Sequence, residues 1–425
     1  MGDTLDLPSS ISEWQLATES EDLVGVGIED GPLVGAGYLS YRRFLTLRVI
    51  WKNISAVSFD PKMFDLDQWM GHATDVLKDY QSWHDYNESF NGNPDEGNFA
   101  LARVFQAQAS QVQSNNIGDK VVFRNNATSS SGTSSLSDDI PRHELEEWPQ
   151  NEYEDSSSDI DPNINEDWNM EYLEPDWEPT IKTALVLFLT AITMSVPDLG
   201  VEWVMCRKTL TTKFIPDIVK YKVHVDAFLK GKNDDVARVL VDVREPRRSE
   251  PTRIEMTSEI RIQESAQMVA WLMTSPDRPQ RQVYPTSLYA QLVSLIRWLH
   301  LSLYLLIPAN RRIIISQDKD EIFLIFAEYG KPYTRYLDSI GEANTHSIDP
   351  KSFLTMYEVG PFNTNHQPAM SKLGAIILAL VLRDARYIYK RPNMDGGTCP
   401  RGKIVFGDLT PAEMYGPFQA DNIWF

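Results

Sequence analysis

The run Val236-Ala-Arg-Val-Leu-Val-Asp-Val-Arg-Glu-Pro246 limits what this chain can fold into more than any other stretch. Ala237, Val239, Val241 and Val243 alternate with Arg238, Leu240, Asp242 and Arg244. Strict alternation of β-branched residues is a strand signal, because successive side chains of a strand point to opposite faces. Asp242 and Arg244 therefore project from one face. Pro246, which cannot donate to a ladder, ends the strand just beyond them. A second predicted strand, Phe214 to Val225, contains Ile215-Pro-Asp-Ile218 and brings Asp217 near Asp242 if the two strands pair. Two carboxylates and a cation at adjoining strand ends suit a divalent metal and a phosphate.

Taken in order, Pro216-Asp217, then Asp242-Val243-Arg244 at a strand end, then a helix carrying Gln267, the chain resembles the PD-(D/E)XK nuclease-like superfamily. In general layout it is similar to the uncharacterised fungal members, and the resemblance covers Ile181 to Tyr336. Pro197-Asp198 is another Pro-Asp pair, ranked second because it follows a helix instead of opening a strand. The resemblance implies a restriction-endonuclease-like core and phosphodiester cleavage with Mg²⁺ held by carboxylates and a Lys activating or positioning water. On that basis the metal ligands are Asp217 and Asp242 with Glu202 as a weaker third, and the catalytic set is Asp217, Asp242, Arg244 and Gln267. The chain departs from the pattern at Arg244, where active members carry Lys. Arginine stays protonated and cannot take a proton from water, though it can clamp a phosphate or a carboxylate. Strict alternation puts Lys220 and Lys222 on the face opposite Asp217, so they do not replace the missing Lys.

The 425 residues suffice for two or three average domains, or for one large one with insertions, and 42% hydrophobic content is enough for a core. Cys206 and Cys399 make neither a disulfide framework nor a CxxC pair and read as reduced thiols. The polar start Met1-Gly-Asp-Thr-Leu-Asp6 is no signal peptide, and Asp6 breaks the myristoylation pattern. The longest apolar run, Thr183 to Val196, is shorter than a bilayer span and reads as a core helix. A soluble cytoplasmic or nuclear protein with no membrane contact is expected.

The net charge of −20 is local. Residues 138–178 hold sixteen acids against Arg142 alone, and residues 1–137 hold eighteen acids and nine bases. Residues 181–425 hold twenty-six acids and thirty bases, a net of +4. A mildly basic region is compatible with DNA or RNA but falls short of a strongly basic footprint. Trp148, Tyr153, Trp168, Tyr172 and Trp177 interleave with the acids, a pattern that suits either a solvated linker or docking on a basic groove of this or a partner protein.

The expected architecture is α/β: a mixed β-sheet flanked by helices, with an N-terminal α+β region and a long disordered acidic insertion. Residues 1–106 form the N-terminal region, beginning with a poorly ordered stretch to residue 20. A glycine-softened hairpin near Asp30-Gly31 follows, then one or two strands over Phe44–Phe59 and an amphipathic helix over Phe64–Tyr86. On that helix Trp69, Trp83 and Tyr86 read as core before they read as a partner surface. Residues 107–179 are Ser/Asn-rich, then acidic, and too polar to offset the entropy of ordering. Residues 180–340 are the nuclease-like core. In it, helices are predicted over Lys182–Val196, Ile254–Met273 and Ser287–Leu306. A strand is predicted over Val201–Lys208, and a hairpin joins Arg311–Ser316 to Glu321–Phe326. Residues 341–425 add a buried helix over Ala369–Tyr389 and a loop-like tail packed on that core.

No HExxH, GxSxG or phosphate-loop motif is present, so zinc hydrolases, serine hydrolases and nucleotide-driven motors lack support. Two classes of function remain. One is a metal-dependent nuclease, weak or degenerate; the other is a non-catalytic nuclease-like fold that binds a macromolecule. Asp217 and Asp242 argue for the first and Arg244 for the second. For Asp242 and Arg244 a plain salt bridge at a strand end is the structural alternative.

Overall fold

A computed structural model of the chain describes residues 6–28, 39–92, 97–111, 177–215, 218–244, 247–248, 254–274, 311–338 and 349–389. The strands among them are β1 (Val49–Ser55), β2 (Val201–Val204), β3 (Lys208–Ile215), β4 (Ile218–Val225), β5 (Ala227–Gly231), β6 (Ala237–Arg244), β7 (Arg311–Asp318), β8 (Glu321–Glu328) and β9 (Leu354–Asn363). Seven of them make one mixed sheet in the order β1-β9-β8-β7-β6-β5-β2, while β3 and β4 pair only with each other. The pairs β1/β9 and β6/β7 are parallel and the rest antiparallel.

Helices cover both faces, which explains why the central strands are apolar on both sides. On one face lie α3 (Asp67–Lys78), α4 (Gln81–Glu88), α5 (Ala100–Gln111), α6 (Glu178–Thr193) and α9 (Gln367–Tyr389). They pack with Val239, Val241, Val243, Ile313 and Ile315. The other face carries α1 (Ile11–Ser20), α2 (Tyr41–Thr46), α7 (Ile254–Thr274) and α8 (Lys331–Asp338), against Leu240, Ile314, Ile325 and Met356. The predicted Lys182–Val196, Ile254–Met273 and Ala369–Tyr389 helices correspond to α6, α7 and α9, and the predicted Arg311–Phe326 hairpin is β7–β8. No helix among the described residues is long and apolar enough to cross a membrane.

Aromatic packing anchors the first face. Trp83, Tyr86, Phe99 and Phe188 form one cluster with ring centroids 4.9 to 6.4 Å apart. Fully burying a large apolar side chain contributes about 1.5–3 kcal/mol, so this cluster holds α4, α5 and α6 together. Gly374 on α9 makes room for it: a Cβ there would stand 2.2 Å from Cη2 of Trp83. Trp83 and Tyr86 are thus core, as their spacing suggested.

Six expectations change. Val201–Lys208 is a strand only as far as Val204, and Phe44–Phe59 opens on the end of α2, with β1 as its one strand. Phe214–Val225 is not one strand beside β6. It is β3 and β4 with Pro216-Asp217 between them, and the neighbours of β6 are β5 and β7. A proline cannot continue a ladder, and the apolar Ala227-Phe-Leu229 suits a strand covered on both faces better than the lysine-rich β4 does. Phe64–Tyr86 is two helices, α3 and α4, divided at Asp79-Tyr80. Residues 11–20 are helical, not poorly ordered. Oγ of Ser10 accepts from the Glu13 N–H, and the Glu13 carboxylate accepts from the Ser9 N–H, which together make a capping arrangement. Finally, the unstructured stretch expected from 107 begins later, since α5 runs to Gln111 with Ala109 buried. The expected hairpin at Asp30-Gly31, most of the acidic stretch, the Ser287–Leu306 helix and the tail beyond Tyr389 lie outside the described residues.

Candidate functional site

Parallel β6 and β7 end side by side, with α7 crossing their shared face. Their register sets Asp242 opposite Ser316 and Arg244 opposite Asp318. Leu240 and Ile314 lie earlier on the same face, so it changes from apolar to polar toward the carboxyl ends. In open α/β sheets that edge is where ligands collect.

Asp242 is 1% exposed. Its Oδ1 accepts a 2.8 Å hydrogen bond from Nε2 of Gln267 on α7. Its Oδ2 lies 2.5 Å from Nη2 of Arg244, whose Nη1 donates to the Val243 carbonyl at 2.6 Å. The same Gln267 amide donates to the backbone carbonyl of His224 on β4, at 2.8 Å. Burial pushes the Asp242 carboxyl up to about 8, against the pull of Arg244 and with a further push from Asp226 and Glu264.

Asp226, just before β5, was not singled out from the sequence. It sits across from Asp242 on the neighbouring strand: its N–H donates to the Val241 carbonyl at 2.9 Å, and its Oδ2 accepts from the Val243 N–H at 2.9 Å. Lys182 of α6 is 4.0 Å from its other oxygen. The signal in the sequence was an acid at the start of a short apolar run, sixteen residues before Asp242 (242 − 226), with no proline to mark it.

A second polar cluster adjoins the first and was not foreseen. Arg248 is wholly buried, and its guanidinium donates to Glu264 at 2.6 Å, Glu358 at 2.6 Å, Asp318 at 2.5 Å and Ser316 at 2.8 Å. Its ring partner is Phe323, 4.3 Å away. Arg261 of α7 donates to Glu358 at 2.8 Å and to Asn53 at 3.0 Å. Arg247 forks onto Asp320, which also accepts from Asn363 at 3.2 Å. Arg248 and Arg261 thus face three carboxylates. Burial raises the Glu264 carboxyl despite Arg248, whereas for Glu358 the two arginines overcome burial and hold it low. The sequence hid this cluster because its members come from β7, β9, α7 and the segment after β6, and none forms a local motif.

The predicted residues therefore divide. Asp242, Arg244 and Gln267 come together, and Asp217 lies outside the described residues with Pro216. Glu202 is not brought to them: on edge strand β2 it pairs with Lys230 at 3.4 Å, with β5 between it and β6. Asp198 occupies an exposed turn with φ 56°. Asp242 does not fit a Mg²⁺ ligand in this arrangement, because both of its oxygens are already engaged by Arg244 and Gln267. Among the described residues no three His, Cys, Asp or Glu side chains converge as a cation would require. No family model matches the chain, and neither a curated protein nor a solved structure matches it.

Proposed function

We propose that the chain is a PD-(D/E)XK nuclease-like protein that binds a macromolecule and cleaves phosphodiesters weakly or not at all. The observation that carries the reading is the pair of half-buried Arg244 and buried Asp242, 2.5 Å apart, where the family pattern has Lys and a metal-ligating carboxylate. The Arg244 guanidinium beside Asp242 is a fixed charge that cannot serve as a base. The element order supports the nuclease-like layout: α6, then antiparallel β2, β5 and β6, then α7 and a parallel β7, with Gln267 of α7 reaching Asp242.

A second reading, a slow Mg²⁺-dependent nuclease, draws on Asp226, which supplies a second carboxylate beside Asp242. Incubating the full chain with Mg²⁺ and labelled single- and double-stranded DNA and RNA separates the two. The proposed reading expects at most trace turnover from the wild type, unchanged in Asp242→Asn, and a gain in Arg244→Lys that Asp242→Asn removes again. Robust cleavage by the wild type, lost in Asp242→Asn, overturns it.

A further inference from the structure

The hairpin β3–β4 is inserted between two strands of the main sheet yet hydrogen-bonds to neither. Its inner face is fixed. Leu210, Thr212, Tyr221 and Val225 are buried, and the Tyr221 hydroxyl donates to the Ala266 carbonyl of α7 at 3.3 Å. Register puts Thr209 opposite His224 and Thr211 opposite Lys222 on the other face, where Thr209 Oγ1 lies 3.0 Å from His224 Nδ1. Lys222 is exposed and forms no ion pair among the described residues. Residues 206–225 contain Arg207, Lys208, Lys213, Lys220 and Lys222 against the single acid Asp217, in a chain of net charge −20.

This basic ribbon adjoins the candidate site, since one Gln267 amide bonds both the His224 carbonyl and Asp242. A two-stranded ribbon with the Thr209 and Thr211 hydroxyls and Lys222 on its open face, and exposed Arg207 just before it, has the chemistry that phosphate backbones select, and its width is one the major groove of a duplex admits. We propose that the outer face of β3–β4 is the surface that grips nucleic acid, through the phosphates. The inference rests on the macromolecule-binding reading and names its partner.

The test is fluorescence anisotropy of the full chain with a labelled random-sequence DNA duplex across a salt series, with single-stranded DNA and duplex RNA as further arms. Arg207→Glu with Lys222→Glu is expected to weaken binding about tenfold or more and to flatten the log K against log salt slope by about two. Lys222→Gln moves both quantities the same way by less, and Lys331→Glu on α8 leaves them unchanged. Lys222 is on the outer face and Arg207 is exposed just before β3, and an unaltered melting temperature establishes that the fold is retained. Equal affinity in the ribbon variants, or an equal loss in Lys331→Glu, overturns the proposal while leaving the binding reading standing. A wild type that binds no nucleic acid in any arm overturns it too. So does a wild type from which polyglutamate, added as a competitor, displaces the labelled duplex more readily than unlabelled duplex does, which points to a protein partner. Cleavage of the duplex during the assay would instead count against the non-cleaving reading and not against the ribbon.

Discussion

Gln267 Nε2 stands 2.8 Å from Asp242 Oδ1 and also donates to the chain of β4, so one amide fastens the candidate carboxylate to the neighbouring ribbon. The amide is wholly buried, and its own Oε1 finds no donor among the described residues. Gln267→Ala removes both hydrogen bonds and leaves Asp242 Oδ1 and a backbone carbonyl unpaired. A loss of about 2–4 kcal/mol is expected in chemical denaturation, since each orphaned buried group costs about 1–3 kcal/mol. Gln267→Glu is expected to cost more, because it adds a carboxyl beside Asp242.

The pH dependence of stability follows from Asp242. Its folded value of about 8 lies above the 3.8 of an ordinary carboxyl. Between those values the folded chain keeps a proton that the unfolded chain has lost, so this group makes stability fall as pH rises from 3.8 to about 8, and level off above. Denaturation midpoints measured across that range should slope downward in the wild type relative to Asp242→Asn. Parallel profiles for the two proteins would show that Asp242 titrates normally.

Arg248 is expected to be the most sensitive position of the second cluster. Arg248→Ala strands Glu264, Asp318 and Glu358 without their shared cation, and breaking a buried pair in this way costs about 3–5 kcal/mol. Glu264→Gln should cost less than Arg248→Ala, because burial works against the Glu264 charge and the amide keeps the shape and one acceptor for Arg248. Equal losses in the two variants would show that the net charge of the cluster does not matter.

Gly374→Ala tests the aromatic core. Helix propensity alone would stabilise α9 by about 1 kcal/mol, but the added Cβ would collide with Trp83. Overpacking costs about 1–3 kcal/mol, so a net lowering of the melting temperature is expected.

The sequence made legible those features that repeat at short range. The alternation around Asp242, the 3.6-residue periodicity of α6, α7 and α9, and the β7–β8 turn each carry their own signal within one element. Long-range placement was not legible. Nothing local to Phe214–Val225 reveals that it doubles back on itself, and nothing local to Ala227–Gly231 reveals that it takes the place beside β6. The same limit hid Asp226 and Arg248. Their partners come from elements far apart in the chain, so only the sheet order brings them together. Gln267 was found because the family pattern puts a Gln on the helix after Asp242, and Asp242 with Arg244 because residues two apart on a strand share a face.

The central claim is that Arg244, not a metal, holds Asp242. Calorimetric titration of Mn²⁺ into the full chain tests it most directly, with wild type, Asp242→Asn, Arg244→Lys and the Arg244→Lys/Asp242→Asn double variant compared side by side. The account predicts no Asp242-dependent binding in the wild type, and a site that opens in Arg244→Lys and closes again in the double variant. Stoichiometric Mn²⁺ binding by the wild type that disappears in Asp242→Asn would contradict it.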